Sequence, residues 1–263
     1  MKNSFVIVRT TTYLCVLATF LLYFHFDFTG WIKMVPIEAW APVGIANNFY
    51  SILNLLKNEL WLTYFFTAGI ILTSIFCIFG RFIKISSLVL LILFSIVFGL
   101  KNSFGHAFRS EGILVTIQLI FVAHFYGFFD KRHAVAALKL FWVSIFFLGG
   151  LNKLKHSGLD WITENYTFDY LIANQITRAT ILNESGMNVW TNSVLSYPKA
   201  IFIVGILILL FELTYPLIFL KKFKNIYLVG TIFFQSMVYV FFGVNFFYYF
   251  CLIPIWLNDR AES

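Results

Sequence analysis

Charge is what this sequence most lacks. Asp, Glu, Lys and Arg make up 12% of its 263 residues, about half the share of an ordinary soluble domain. A chain so poor in charge cannot clothe a water-soluble core, and its class is that of a multi-pass membrane protein. Cysteine is scarce as well. Cys15, Cys77 and Cys251 each lie inside an apolar run, with no CxxC and no His at ligand spacing. A disulfide framework and a zinc site therefore drop out, and no metal is expected. Internal repeats and low-complexity tails are missing. So is the short apolar/polar alternation of barrel strands, which leaves helices as the spanning element.

What the sequence has instead is apolar length. Hydrophobic residues make up 60%, Phe alone accounts for 34 positions, and the mean hydropathy is +0.84. The runs predict an all-α integral membrane protein with about eight transmembrane helices. They lie near 5–25, 61–80, 83–100, 108–129, 134–152, 200–220, 225–243 and 245–258. The first run is too long for a signal peptide and no small-residue cleavage site clearly follows, so it reads as a retained span. Two long connections, 26–60 and 153–199, carry Trp31, Trp40, Tyr50, Trp161, Tyr166, Tyr170 and Trp190. Aromatics of this kind belong at the lipid–water boundary and predict interfacial amphipathic helices in two outer loops. One transmembrane domain over 1–263, without a soluble domain, is the expected organisation.

Orientation follows from where the bases fall. With eight spans and the N-terminus inside, the inner segments hold ten bases: Lys2, Arg9, Arg81, Lys84, Lys131, Arg132, Lys221, Lys222, Lys224 and Arg260. They hold three acids, Asp130, Asp259 and Glu262, while the outer segments hold eight of each sign. The positive-inside rule then puts both termini in the cytoplasm of a cell membrane, the bacterial inner membrane being the expected one. It also accounts for the net charge of +7 as topological, which removes nucleic acid as a partner and leaves membrane lipids.

This topology gathers polar groups at the outer side. His25 ends the first span, His106 opens the fourth with Arg109 and Glu111 beside it, and Lys153, Lys155 and His156 follow the fifth. A charge at an interface costs far less than one in hydrocarbon, at roughly 2.5–3.5 kcal/mol on insertion scales. Titratable groups can therefore be kept there against a lipid-soluble substrate. The plainer reading of Lys153 and Lys155 is a pair of snorkelling anchors complementing a helix C-terminus. Glu212, in LLFELTYPLIFL, is different. A carboxylate past mid-span must be protonated, paired or turned to a cavity, and Pro216 is expected to kink its helix.

The stretch FFLGGLNKLKHSGLDWITENYTFDYL, 146–171, resembles the F-x-A-G-x-x-K-L-x-x-x-W-x-x-G-Y-x-M-x-Y-L stretch of vitamin K-dependent gamma-carboxylases. It is also similar to the wider bacterial group sharing their horizontally transferred transmembrane (HTTM) domain. Gly150, Lys153, Leu154, Asp160, Trp161, Tyr166, Tyr170 and Leu171 fall in the family's order. NSFGHAFRSEG, FELTYPLIFL and FFQSMVYVFFGVNFFYYF are similar to its histidine-bearing span start, its E-x-x-x-P helix and its penultimate helices. The resemblance implies Lys153 as a base that deprotonates a quinol such as vitamin K hydroquinone, with His106 as its partner. Glu111, Arg109, His25, Glu212, Trp161 and Gln235 are supporting residues. Gln235, Val238 and Asn152 stand where the family has histidine, asparagine and the first of two lysines. The implied activity is a lyase-like membrane enzyme, or enzyme subunit. It acts on a lipophilic quinol/quinone or a membrane-presented peptide. Two other readings stand beside it. One is a non-enzymatic membrane partner for export or maturation of a peptide toxin. The other is a transporter, which would call for repeated halves that the chain lacks.

Overall fold

The computed structural model describes residues 2–24, 27–34, 47–102, 110–158, 197–242 and 247–257, and all regular structure among them is helical. The helices are α1 (Lys2–Tyr23), α2 (Phe28–Met34), α3 (Asn47–Asn58), α4 (Leu60–Phe79), α5 (Ile83–Asn102), α6 (Ser110–Phe125) and α7 (Lys131–Ser157). There follow α8 (Pro198–Leu213), a 3-10 turn over Tyr215–Phe219, α9 (Lys221–Phe242), a second 3-10 turn over Phe247–Leu252, and α10 (Ile253–Leu257). Four helical segments are long and apolar enough to cross a membrane: Ser4–Leu22, Leu60–Phe79, Ile83–Leu100 and Lys131–Lys155. Gly112–Phe125 and Phe202–Leu213 are shorter apolar helices. Phe65, Leu72, Ile92, Leu119, Leu140, Leu207 and Val229 all face outward. Apolar outer faces invert the soluble pattern and suit lipid contact, because each helix satisfies its own backbone.

The chain divides into two compact units, Met1–Leu138 with Cys251–Ser263 and Lys139–Phe250. In the first, α1 packs on α4, α6 and α10, and α4 packs on α5. Its core holds the fully buried Tyr13, Ile70, Leu90, Leu114, Phe121 and Trp256. α2 and α3 lie against α4: Phe28 and Ile32 of α2 and Leu53 and Leu56 of α3 are buried, and Ser51, Leu55 and Asn58 are exposed, while 35–46 lies outside the described residues. The hydroxyls of Thr29 and Thr63, 2.7 Å apart, tie α2 to α4. Most of the second loop, 159–196, lies outside the described residues.

Helix ends follow local chemistry. α4 stops at Gly80, whose φ of 71° is left-handed. The Arg81 backbone N–H then returns to Phe76 O at 2.9 Å, and the Arg9 guanidinium donates to Ile78 O at 3.3 Å. A glycine C-cap with a cation at the negative helix end is favourable on both counts. α7 starts at Asp130, whose Oδ1 accepts from the His133 backbone N–H and lies 2.9 Å from His133 Nδ1. This is an N-cap. The His133 N–H holds the Asp130 carboxyl below the usual carboxylate range, with the His133 ring adding to it. A depressed folded pKa stabilises above the unfolded value of about 3.9 and is lost as pH falls through the lower folded value. Asp130→Ala is accordingly expected to lower the melting temperature at neutral pH and to have no effect in acid below that window. A deficit that persists there would assign Asp130 a role other than capping.

Of the eight expected spans, those near 5–25, 61–80, 83–100 and 134–152 have helices long and apolar enough to cross a membrane, and the other four do not among the described residues. The run 200–220 is α-helical only to Leu213 and becomes a 3-10 turn from Tyr215. Pro216 has no N–H to return to Glu212 O and its ring crowds that carbonyl, so the α-helix ends here instead of continuing to 220. The last run, 245–258, is helical in two short pieces among the described residues. Pro254 has no N–H to return to Phe250 O and sits in the first turn of α10, where that loss is tolerated.

Candidate functional site: a buried lysine–glutamate pair

The second unit contains Glu212, the residue that the sequence marks as hardest to place in lipid, and Lys153, the candidate base. Lys153, in the last turns of α7, reaches Glu212 of α8. Its Nζ is 2.5 Å from both carboxylate oxygens, a bidentate contact. The Glu212 side chain is 7% exposed and that of Lys153 22%. Glu212, in the last turn of α8, is thus paired and buried, one of the states open to a carboxylate in an apolar run. Lys155, two residues on, is exposed, as expected of a neighbour that does not share the helix face.

The local sequence explains why the pair fits. Gly149 and Gly150 lie four and three residues before Lys153, on the same face of α7. Helical side chains lean toward the N-terminus, so Lys153 folds back over these glycines. A Cβ on Gly150 would stand 3.0 Å from Glu212 Cβ and 3.1 Å from Leu213 Cδ2, whereas one on Gly149 would stand 3.5 Å from Glu212 Oε1. Gly150 is therefore the close-approach residue, its missing side chain letting α7 and α8 meet. Gly149 leaves room for the carboxylate itself.

A second polar arrangement braces the same unit. Trp142 Nε1 donates to Tyr215 Oη at 2.5 Å, and Tyr215 Oη is 2.6 Å from Thr231 Oγ1. The Thr231 hydroxyl spends its single proton on Tyr227 O at 2.7 Å, so the proton between Tyr215 and Thr231 comes from Tyr215. Tyr227 Oη in turn donates to Thr214 Oγ1 at 2.7 Å, and Thr214 to Leu210 O. Each hydroxyl has one assigned donor direction, the condition under which a buried network is favourable. Around it stack aromatic rings: Phe146 on Tyr215 with centroids 4.2 Å apart, and Phe211 on Tyr227 and Phe234 at 5.6 Å each. A Cβ on Gly230 would come within 2.7 Å of Phe211 Cε2, so α9 passes this cluster at backbone distance. Trp142 and Tyr215, both fully buried, were not among the sequence candidates. The signal for them is an indole and a phenol inside spans rather than at the boundary, with Tyr215 beside a helix-breaking proline.

Of the other sequence candidates, Gln235 is 2% exposed on α9. Its Oε1 is buried without a hydrogen-bond partner among the described residues. Glu111 lies in the first turn of α6, with its side chain outside the described set. His25, His106, Arg109 and Trp161 lie outside the described residues, and with them the expected approach of Lys153 to His106. Among the described residues no three His, Cys, Asp or Glu side chains are grouped to hold a metal. Compared with protein-family models, with characterised proteins and with solved structures, the chain matches none.

Proposed function

We propose that this is a multi-pass protein of the cell membrane, of the HTTM/gamma-carboxylase-like group, with both termini cytoplasmic. In this reading it is a small membrane enzyme or enzyme subunit that takes a proton from a lipophilic quinol-class phenol at the outer side. The observation that carries it is the bidentate Lys153–Glu212 pair buried between two helices. Lys153 donates to both carboxylate oxygens of Glu212, so the two side chains act as a unit. A phenol that meets the accessible edge of Lys153 gives its proton to Nζ as Nζ passes one of its own to Glu212. The products are a phenolate facing the ammonium and a neutral carboxyl. One ion pair replaces another, and no net charge is created in a low-dielectric interior, where an isolated charge is most costly. Glu212 is the proton acceptor and Lys153 the relay and counter-charge.

A second reading has support from the same unit. The Trp142–Tyr215–Thr231 chain uses buried polar groups to clamp helices, and Lys153–Glu212 can be a further clamp in a non-enzymatic membrane partner. The two readings separate on what the purified protein carries. Organic extraction and mass spectrometry of protein taken from its native membrane should find a phenol- or quinone-class molecule. That molecule should be at least tenfold depleted in Glu212→Gln protein of unchanged helicity. Phospholipid alone, equal in both proteins, would leave the clamp.

A further inference from the structure

Beyond the pair, the turn between α4 and α5 in the first unit carries a surface that the proposed chemistry does not use. Phe79, Phe82 and Ile85 are 74%, 73% and 66% exposed. Arg81 and Lys84, interleaved with them, are exposed as well. None of the acids among the described residues pairs with either cation. Phe82 adopts φ 48°, which makes it the one non-glycine residue at positive φ among the described residues. A bulky side chain in the left-handed region is strained, and here the strained residue presents its ring outward. Among the described residues Phe76 meets it edge-on at 5.9 Å.

We propose that this turn is a docking surface for anionic phospholipid. The rings of Phe79 and Phe82 and the Ile85 side chain enter the acyl boundary, and Arg81 and Lys84 engage phosphate groups of the headgroup layer. The commitment to lipid rests on charge complementarity and on the alternation of exposed apolar and basic residues over seven positions. Apolar side chains that reach down, with long cations beside them that reach outward, are the arrangement an interface rewards. Each basic residue held at an anionic surface is worth about fivefold in affinity, so the two together contribute about thirtyfold.

The test is native mass spectrometry of the full chain released from detergent with defined lipid. Phosphatidylglycerol and phosphatidylcholine are titrated against wild type, the Arg81→Gln/Lys84→Gln double variant and a control Lys221→Gln/Lys222→Gln double variant. The expected result is tighter retention of phosphatidylglycerol than phosphatidylcholine by wild type. The turn variant should lose about ten- to thirtyfold of the phosphatidylglycerol affinity, with phosphatidylcholine unchanged and the control variant nearer wild type. Phe82→Gly relieves the backbone strain and removes the anchor, so it should lower phosphatidylglycerol retention without lowering the melting temperature. Equal binding of the two lipids, or a turn variant that binds like wild type, overturns the proposal. So does a wild-type dimer lost in the turn variant, which would make the occupant a second copy of the chain.

Discussion

Lys153→Met is expected to destabilise the protein by roughly 3–5 kcal/mol, the usual cost of leaving one member of a buried ion pair alone. The reason is the difference in burial between the partners. Glu212, at 7% side-chain exposure, has nowhere to go when its counter-ion is removed, and its seat on Gly149 and Gly150 holds it there. Glu212→Gln is expected to cost less, about 1–3 kcal/mol, because Lys153 at 22% exposure can turn its ammonium toward the boundary. The double change Lys153→Met/Glu212→Met is expected to recover most of the loss, since an apolar pair of similar volume replaces a buried ion pair at little or no cost. Reversible unfolding of wild type, Lys153→Met, Glu212→Met and the double change in bicelles gives the coupling directly. Additive losses would mean that the two residues act separately.

Tyr215 carries the second large effect. Tyr215→Ala removes a fully buried ring that stacks on Phe146 and meets Phe211 and Tyr227 edge-on, and is expected to cost about 3–5 kcal/mol. Tyr215→Phe keeps the ring and strips the oxygen that accepts from Trp142 and donates to Thr231. Its expected cost is about 1–3 kcal/mol. The contrast separates packing from hydrogen bonding within one residue. It is read in the same unfolding assay, with near-ultraviolet circular dichroism reporting the environment of Trp142. If the two variants lose equally, the hydroxyl chain rather than the ring carries the stability.

Much of this architecture was legible in the sequence, because it is written in the most local terms. Apolar length marked the runs that became α1, α4, α5 and α7, and Pro216 marked where α8 gives way to a 3-10 segment, at the missing helical N–H. Glu212 was marked by cost alone: a carboxylate that far into an apolar run had to be protonated, paired or turned to a cavity. Its partner was not legible. Lys153 and Glu212 are 59 positions apart, with the long 153–199 connection between them, and Lys153 at a helix end reads equally well as a snorkelling anchor. The deciding feature was the Gly149-Gly150 step, whose spacing to Lys153 gains meaning only once the facing helix is known. The Trp142–Tyr215–Thr231 chain was hidden for the same reason, since its three members lie on three separate elements. The divided last run was missed because its hydropathy is continuous.

The ion pair itself is the claim on which the proposed chemistry stands, and infrared difference spectroscopy reads it directly. Subtracting the Glu212→Gln spectrum from that of wild type isolates the Glu212 carboxyl. The account predicts the symmetric and antisymmetric stretches of an ionised carboxylate in wild type, replaced by the carbonyl stretch of a protonated acid in Lys153→Met. A protonated carbonyl band from Glu212 in wild type, or a spectrum indifferent to Lys153, would contradict it.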